Sequence, residues 1–251
     1  MPIFLSPHLD DIALSCGGRV KRMTAQGREV VIATLCTADA PTNRPLSAAA
    51  QRVHKEWQLG DQPYAARRAE DQRACAALGA KAIHLNLLDA IYRFDEAGQP
   101  LYTDQFIGVQ PHPYDVARQL PALKAALHAF LAARPRELVY APMAVGGHVD
   151  HTLTRAAAEA VVPAARLRYY EDYPYAGWTS ARMKPAYTLD KKSAGLRPHR
   201  LRLTEDEIAA RVSAIACYAS QMAALFGSAA AMPPAVRQYI SSVKGERYWR
   251  Q

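Results

Sequence analysis

What most constrains this chain is a recurring pair: a short apolar run, too brief for a helix, followed by a longer stretch of helical period. PIFLS (2–6), REVVIATLC (28–36), AIHLNLL (82–88), ELVYAP (137–142) and RLRYYE (166–171) are the short runs. In the second, Val30 to Ala33 are apolar without a break, which reads as a strand buried on both faces, as in a parallel sheet. Helical period marks 10–26, 64–78, 114–133 and 149–162, with Asp10 placed to cap the first and Gly27 and Gly79 placed to stop the first two. Parallel strands joined by helices require right-handed crossovers. The expected fold is therefore α/β: a Rossmann-like, open, mostly parallel sheet with helices on both faces. No G-x-G-x-x-G follows the first strand, so the pattern implies no dinucleotide.

Two long irregular stretches interrupt the alternation, 38–62 with a short helix from Ser47, and 89–113. Beyond residue 172 the pattern weakens into a Pro- and Lys/Arg-rich connection, then one helix near 204–226 and a short tail. A chain of 251 residues, half of them hydrophobic and 22% charged, is expected to form a single domain over 1–251, basic from about residue 173. The formal charge of +8 is concentrated there, since residues 180–251 carry 12 Lys and Arg against 5 Asp and Glu. A basic region attracts anionic small molecules or nucleic acid. Without an RNA-binding aromatic signature or a helix-turn-helix pattern, nucleic acid is disfavoured, and a solvated surface accounts for most of the charge. Cys16, Cys36, Cys75 and Cys217 are widely spaced, so neither a disulfide framework nor a thiolate zinc site is expected. No apolar run approaches a membrane span and the N-terminus lacks the layout of a leader. The expectation is a cytoplasmic protein without a membrane partner; a homo-oligomer is compatible with the sequence.

The chemistry concentrates at two strand ends. SPHLDD closes the first strand and GGHVDH (146–151) follows the fourth, each opening a helix. In open α/β sheets ligands sit beyond the carboxyl ends of the strands. His8 with Asp11, and His148 with His151, are each three residues apart across a strand-to-helix turn, a spacing that aims both side chains at one point. Imidazole nitrogens with a carboxylate, and one position left for water, make the ligand set of a catalytic zinc or a similar divalent ion. Taken alone, Asp10 or Asp11 is explained as a helix N-cap or first-turn carboxylate, and a lone strand-end histidine by a hydrogen bond. The two motifs at equivalent topological points favour a metal. His54, His84, His112, His128 and His199 show no such spacing, and Ser15 and Cys16 have no histidine at helical distance to activate them.

These motifs resemble those of the PIG-L/LmbE-like family of zinc-dependent N-deacetylases: PHLDD is similar to its P-H-P-D-D, and HVDH to its H-x-D-H. The resemblance extends to R-x-x-E at Arg67–Glu70, Leu78-Gly79, Asp89, YYEDYPYA (169–176) and YASQ (218–221). It implies zinc, with Fe2+ as an alternative, held by His8, Asp11 and His151, and Asp10 as general base. It implies His148 as general acid and oxyanion stabiliser, oriented by Asp150, and Arg67 and Asp89 as contacts to sugar hydroxyls. For the last two, a surface arginine and a loop aspartate are the plainer account. Ile12 stands where the family has Glu, and Gly146 where some members have a tyrosine two residues before the first histidine. Zinc and His148 are then left to carry the oxyanion's charge unless Tyr173 or another residue supplies a phenolic donor.

The expected activity is hydrolysis of the acetamide of an N-acetylglucosamine-type sugar or small conjugate, with an anionic one favoured by the basic end. A hydrolase of non-sugar acylamides and a non-catalytic module binding glycan or nucleic acid are the alternatives.

Overall fold

The computed structural model describes residues 1–103, 105–177 and 195–250. Its strands form one seven-stranded sheet, in the order β3-β2-β1-β4-β5-β7-β6. β1 (Ile3–Ser6), β2 (Val31–Cys36), β3 (Lys81–Leu87), β4 (Val139–Pro142) and β5 (Leu167–Tyr170) run parallel. β6 (Arg197–Leu201) and β7 (Glu246–Arg250) are added antiparallel beyond β5. The helices are α1 (Asp11–Ala25), α2 (Ala48–Trp57), α3 (Tyr64–Ala77), α4 (Pro113–Ala132), α5 (Val149–Val161), α6 (Glu205–Ala216), α7 (Met222–Phe226) and α8 (Met232–Val243). Among the described residues, no single helix is long and apolar enough to cross a membrane.

The unbroken apolar runs feed two cores by the two-residue period of a strand. Phe4 and Ile32 face one core with Ile12, Val20, Ile215 and Val236, which α1, α6 and α8 supply. Ile3, Leu5, Val31, Ala33 and Leu35 face the other, closed by Leu123 and Leu127 of α4 and Leu153 and Ala157 of α5. The alternation called for helices on both faces, and that is how the sheet is covered. Ser47 caps α2 by accepting from Ala50 N–H at 3.0 Å, so the short helix expected from that residue forms.

The last third departs from expectation. RPHRL and ERYWR are strands rather than connection and tail, and the region read as one helix over 204–226 holds α6, a 3-10 turn and α7, with α8 beyond it. The break has a tertiary cause. Tyr218 hydroxyl donates to Asp71 at 2.8 Å, and Ser220 hydroxyl donates to Glu70 at 2.6 Å, tying the interruption to α3. Much of the Pro- and Lys/Arg-rich connection, with Arg182, Lys184, Lys191 and Lys192, lies outside the described residues.

β7 also braces α1. Buried Glu246 accepts from the Gly18 and Arg19 N–H groups at 2.9 and 3.0 Å, from Tyr248 hydroxyl at 2.6 Å and from Arg211 at 3.3 Å. A Cβ on Gly17 would stand 2.8 Å from Arg211 Cγ, so glycine in mid-helix is what lets α6 approach α1 this closely. Glu246→Ala removes the carboxylate that neutralises buried Arg211, an expected loss of about 3–5 kcal/mol. Urea denaturation checks this, with Glu246→Gln expected to cost less because it still accepts.

Candidate active site

Strand order reverses between β1 and β4, since β1 continues to β2 and β3 on one side while β4 lies on the other. A crevice opens beyond the carboxyl ends at such a switch point. SPHLDD and GGHVDH flank it. The turn after β1 is held by Ser6 hydroxyl donating to His8 C=O at 2.6 Å, and His8 N–H donates to Asp11 Oδ2 at 2.7 Å. A cavity of about 110 Å³ is lined by His8, Asp10, Asp11, Arg67, Asp89 and His148, among others. The two motifs, 140 residues apart in the chain, therefore meet, and Arg67 and Asp89 reach the same space.

Asp11 stands between two imidazoles, with Oδ2 3.4 Å from His8 Nδ1 and Oδ1 3.3 Å from His151 Nε2. Ligand atoms sharing a tetrahedral ion at bond lengths of about 2.0–2.1 Å are about 3.3 Å apart. His151 Nε2 is buried without a hydrogen-bond partner, as a metal ligand's lone pair should be. Each ring is oriented from behind by a carboxylate. His151 Nδ1 donates to Asp172 at 2.6 Å, and His8 Nε2 donates to Asp150 at 3.1 Å. Carboxylate-backed imidazoles with the opposite nitrogen turned inward are the usual arrangement around a bound metal.

Nitrogens of His8, His148 and His151 also lie within 4.8 Å of one another. His148 is the weaker third ligand. Its Nδ1 accepts from Asp150 N–H at 3.2 Å, so the neutral ring carries its proton on Nε2 and presents a donor. Cys36 approaches His8 and Asp150, but burial pushes its thiol well up and no thiolate is offered.

Asp150 requires a correction. Its carboxylate accepts from His8, from Ala90 N–H at 3.1 Å and from Arg93, and it meets His148 only through its own backbone N–H. It orients His8 rather than His148. Arg93 is in turn held by Asp115 at 2.7 Å. The sequence reading missed Arg93, and it missed Asp172 although EDYPY was noticed. Asp172 stands just past β5, the strand-end position that singled out the other two motifs.

Asp10 occupies the N-cap position of α1, yet its side chain makes no capping hydrogen bond. The plainer account of this residue therefore fails here. Its carboxylate lies 3.7 Å from Arg67, whose buried guanidinium stacks over Trp57 at 4.2 Å. Arg67 is thus no surface arginine. Asp89 accepts from Tyr64 hydroxyl at 2.6 Å on one oxygen and from Ile91 N–H at 3.2 Å on the other, which fixes the carboxylate's orientation.

The adjacent carboxylates are held in opposite states. Burial and the Asp11 charge push Asp10 up to about 7, against the pull of Arg67. Burial also favours a neutral Asp11, but His151 and His8 outweigh it and hold that group below the usual carboxylate range. Burial alone would lower His151; Asp11 and Asp172 carry it up to about 9. His148 is pushed well down by burial and by the other two imidazoles, so it is neutral near pH 7.

A Cβ on Gly146 would stand 2.6 Å from Tyr175 Cβ, so the volume of a side chain at 146 is already taken by Tyr175. The Tyr175 ring lines the cavity, 5.4 Å from that of His151 and 6.4 Å from that of His148. Tyr173 is buried instead against Tyr239 at 4.5 Å and does not line this cavity.

Fold and site together define an α/β protein with a His–Asp–His cluster, suited to a divalent metal, at the switch point of its sheet. Residues 3–162 match the model of the PIG-L family, described as GlcNAc-PI de-N-acetylase, and the chain belongs to that family. The 2'-N-acetylparomamine deacetylase of Streptomyces fradiae is 33% identical over 184 residues, 71% of this chain and 59% of that protein, so the match spans less than two thirds of that relative. The protein of the same name from Niallia circulans is 29% identical over 219 residues, 77% of this chain and 78% of that one. The solved zinc-inhibited form of teicoplanin deacetylase Orf2 superposes with a TM-score of 0.83 at 28% identity, covering 98% of this chain and 96% of that one.

Protein purified without chelator should carry about one equivalent of divalent metal by elemental analysis, and His151→Ala should lose it. Because the ion displaces a proton from His151, apparent affinity should fall as pH drops from 9 towards 6. Asp172→Asn should weaken binding about 10- to 100-fold, read by competition with a chromogenic chelator.

Proposed function

We propose that this protein hydrolyses the acetamide of an N-acetylglucosamine-type sugar, with zinc or a similar divalent ion held by His8, Asp11 and His151. The observation that carries this reading is the divergence of Asp10 and Asp11. One carboxylate is locked between two imidazoles; its neighbour is uncapped, aimed into the same cavity and pushed up to about 7. That division of roles suits a metal ligand beside a general base. The family description and the acetylated sugar named in the paromamine relatives support the substrate class.

Bound there, the ion would lower the pKa of a water and polarise the amide carbonyl. Asp10 accepts the water's proton, steadied by Arg67 at 3.7 Å, and returns it to the departing amine. Neutral His148 donates from Nε2 to the carbonyl oxygen as that oxygen gains charge. This part of the family expectation, oxyanion stabilisation, agrees with the Nδ1 contact and the lowered basicity; a general acid in imidazolium form does not. Tyr175 closes the cavity wall beside His148 and His151. Arg67 and Asp89 bound the side where ring hydroxyls would lie.

An anionic conjugate gains no support from the basic last third. Of its described cations, Arg211, Arg237 and Arg247 are paired with Glu246, Glu205 and Glu171, and none of the described basic residues after 177 lines the cavity.

Amine release from N-acetylglucosamine by the metal-loaded protein tests the reading, and its absence, with acylamino acids cleaved instead, would point to the non-sugar amidase. Asp10→Asn should keep the metal and lose about 10²-fold or more in kcat. His148→Ala should also keep it while losing about 10²- to 10³-fold. The rate should fall on acidification as Asp10 gains a proton. A cation beside that carboxylate lowers its pKa, so this acid limb should lie at or below about pH 7 and be absent from the Asp10→Asn profile.

A further inference from the structure

Among the described residues a separate cavity of about 350 Å³ lies between the segments that follow β2 and β3 and the first turns of α4, and it shares no lining residue with the cavity over His8 and Asp11. That volume falls within the range of about 300–1,000 Å³ typical of ligand sites. The segment after β3 divides the two: Asp89 and Ile91 line the inner cavity, while Tyr92, Arg93 and Phe94 line the outer one. The outer cavity has no part in the hydrolysis proposed above.

Much of its wall is flat and apolar. Tyr92, Phe94 and Tyr114 line it together with Leu88 and Leu101. Asn43 and Gln119 add neutral polar groups, and Gln119 is partly committed, donating to Leu88 C=O at 3.4 Å.

Three guanidiniums line the same space. Arg44, from the segment after β2, lies over the Phe94 ring at 4.9 Å, and Arg118 of α4 lies over the Tyr114 ring at 5.7 Å. Each cation is thus held against an aromatic face. Arg44 pairs with no carboxylate among the described residues. Arg118 meets Glu96, but both side chains are largely exposed, and a surface pair of that kind contributes little. Arg93 is buried between Asp115 and Asp150, with an Nε that has no hydrogen-bond partner among the described residues. Asp115, the one carboxylate described in the lining, is occupied by Arg93 and by Tyr102 hydroxyl, each at 2.7 Å.

The positive charge of Arg44 and Arg118 is therefore available to a ligand, whereas the negative charge of Asp115 is not. Guanidiniums bind carboxylate, phosphate and sulfonate oxygens through paired N–H groups, and aromatic walls stack on flat rings. We propose that this cavity binds a small anion carried on an aromatic or similarly flat apolar ring, the charge at Arg44 and Arg118 and the ring against Phe94 and Tyr114.

Calorimetry on the metal-loaded protein with benzenesulfonate tests this, since a sulfonate is a poor ligand for zinc. One equivalent should bind, about ten-fold or more tighter than methanesulfonate, which lacks the ring, and than benzyl alcohol, which lacks the charge. Added salt should weaken it, because both arginines are exposed to solvent. Arg44→Ala and Arg118→Ala should each reduce affinity about ten-fold while leaving metal content and circular dichroism unchanged, and either variant serves should the other misfold. Absence of binding to the wild type overturns the proposal. So does binding that both variants retain undiminished, because the probe then sits elsewhere. Benzyl alcohol binding as tightly as benzenesulfonate would show that charge is not read, and methanesulfonate doing so would show that the ring is not; either result overturns the assignment.

Discussion

Everything in the site depends on a carboxylate buried between two imidazoles. Asp11 is 4% exposed and His151 1%, so neither charge is shielded by water, and each is tolerable only because the other is there. The arrangement propagates outward. His151 needs Asp172 behind it, His8 needs Asp150, and Asp150 needs Arg93, which needs Asp115. Alternating charge extends from the crevice into α4. Removing a member strands its neighbour as an uncompensated charge, which costs more than the pair contributes.

A separate set of contacts positions the helix that carries Asp10 and Asp11. Asp10 and Asp11 sit at the start of α1, so any shift of that helix moves both carboxylates together. Two devices hold it. The Gly17-Gly18 pair admits α6 close against α1, and Glu246 of the antiparallel β7 accepts the Gly18 and Arg19 N–H groups from inside the helix. The C-terminal strands, which carry no ligand of the cluster, therefore act on the site by fixing the helix that carries two of its carboxylates.

On the opposite wall, Gly146 and Tyr175 are one structural decision. The loop reaches His148 through a residue at φ +92°, and the space a side chain would occupy there belongs to a tyrosine from the next strand end. Tyr175 thereby supplies an aromatic wall beside His148 and His151.

The parallel strands and their helices were legible because a strand buried on both faces has to be apolar without a break, a local property. His8, Asp11, His148 and His151 were legible for a related reason, since three-residue spacing at a strand end is visible in the chain itself. What Asp150 and Asp172 touch was not. Asp150 follows His148 by two residues yet bonds His8, 142 residues away, because a helical first turn sends successive side chains in different directions. Arg67 looked like any helical arginine until α2 supplied Trp57 to stack on it. β6 and β7 escaped notice because RPHRL and ERYWR are edge and near-edge strands, polar on the exposed side and defined by pairing with each other and with β5. Sequence alone thus determined the layers and the residues brought to the crevice. Only the tertiary structure decided which carboxylate faces which imidazole, because charge pairing at a buried site depends on distances between segments that the chain keeps far apart.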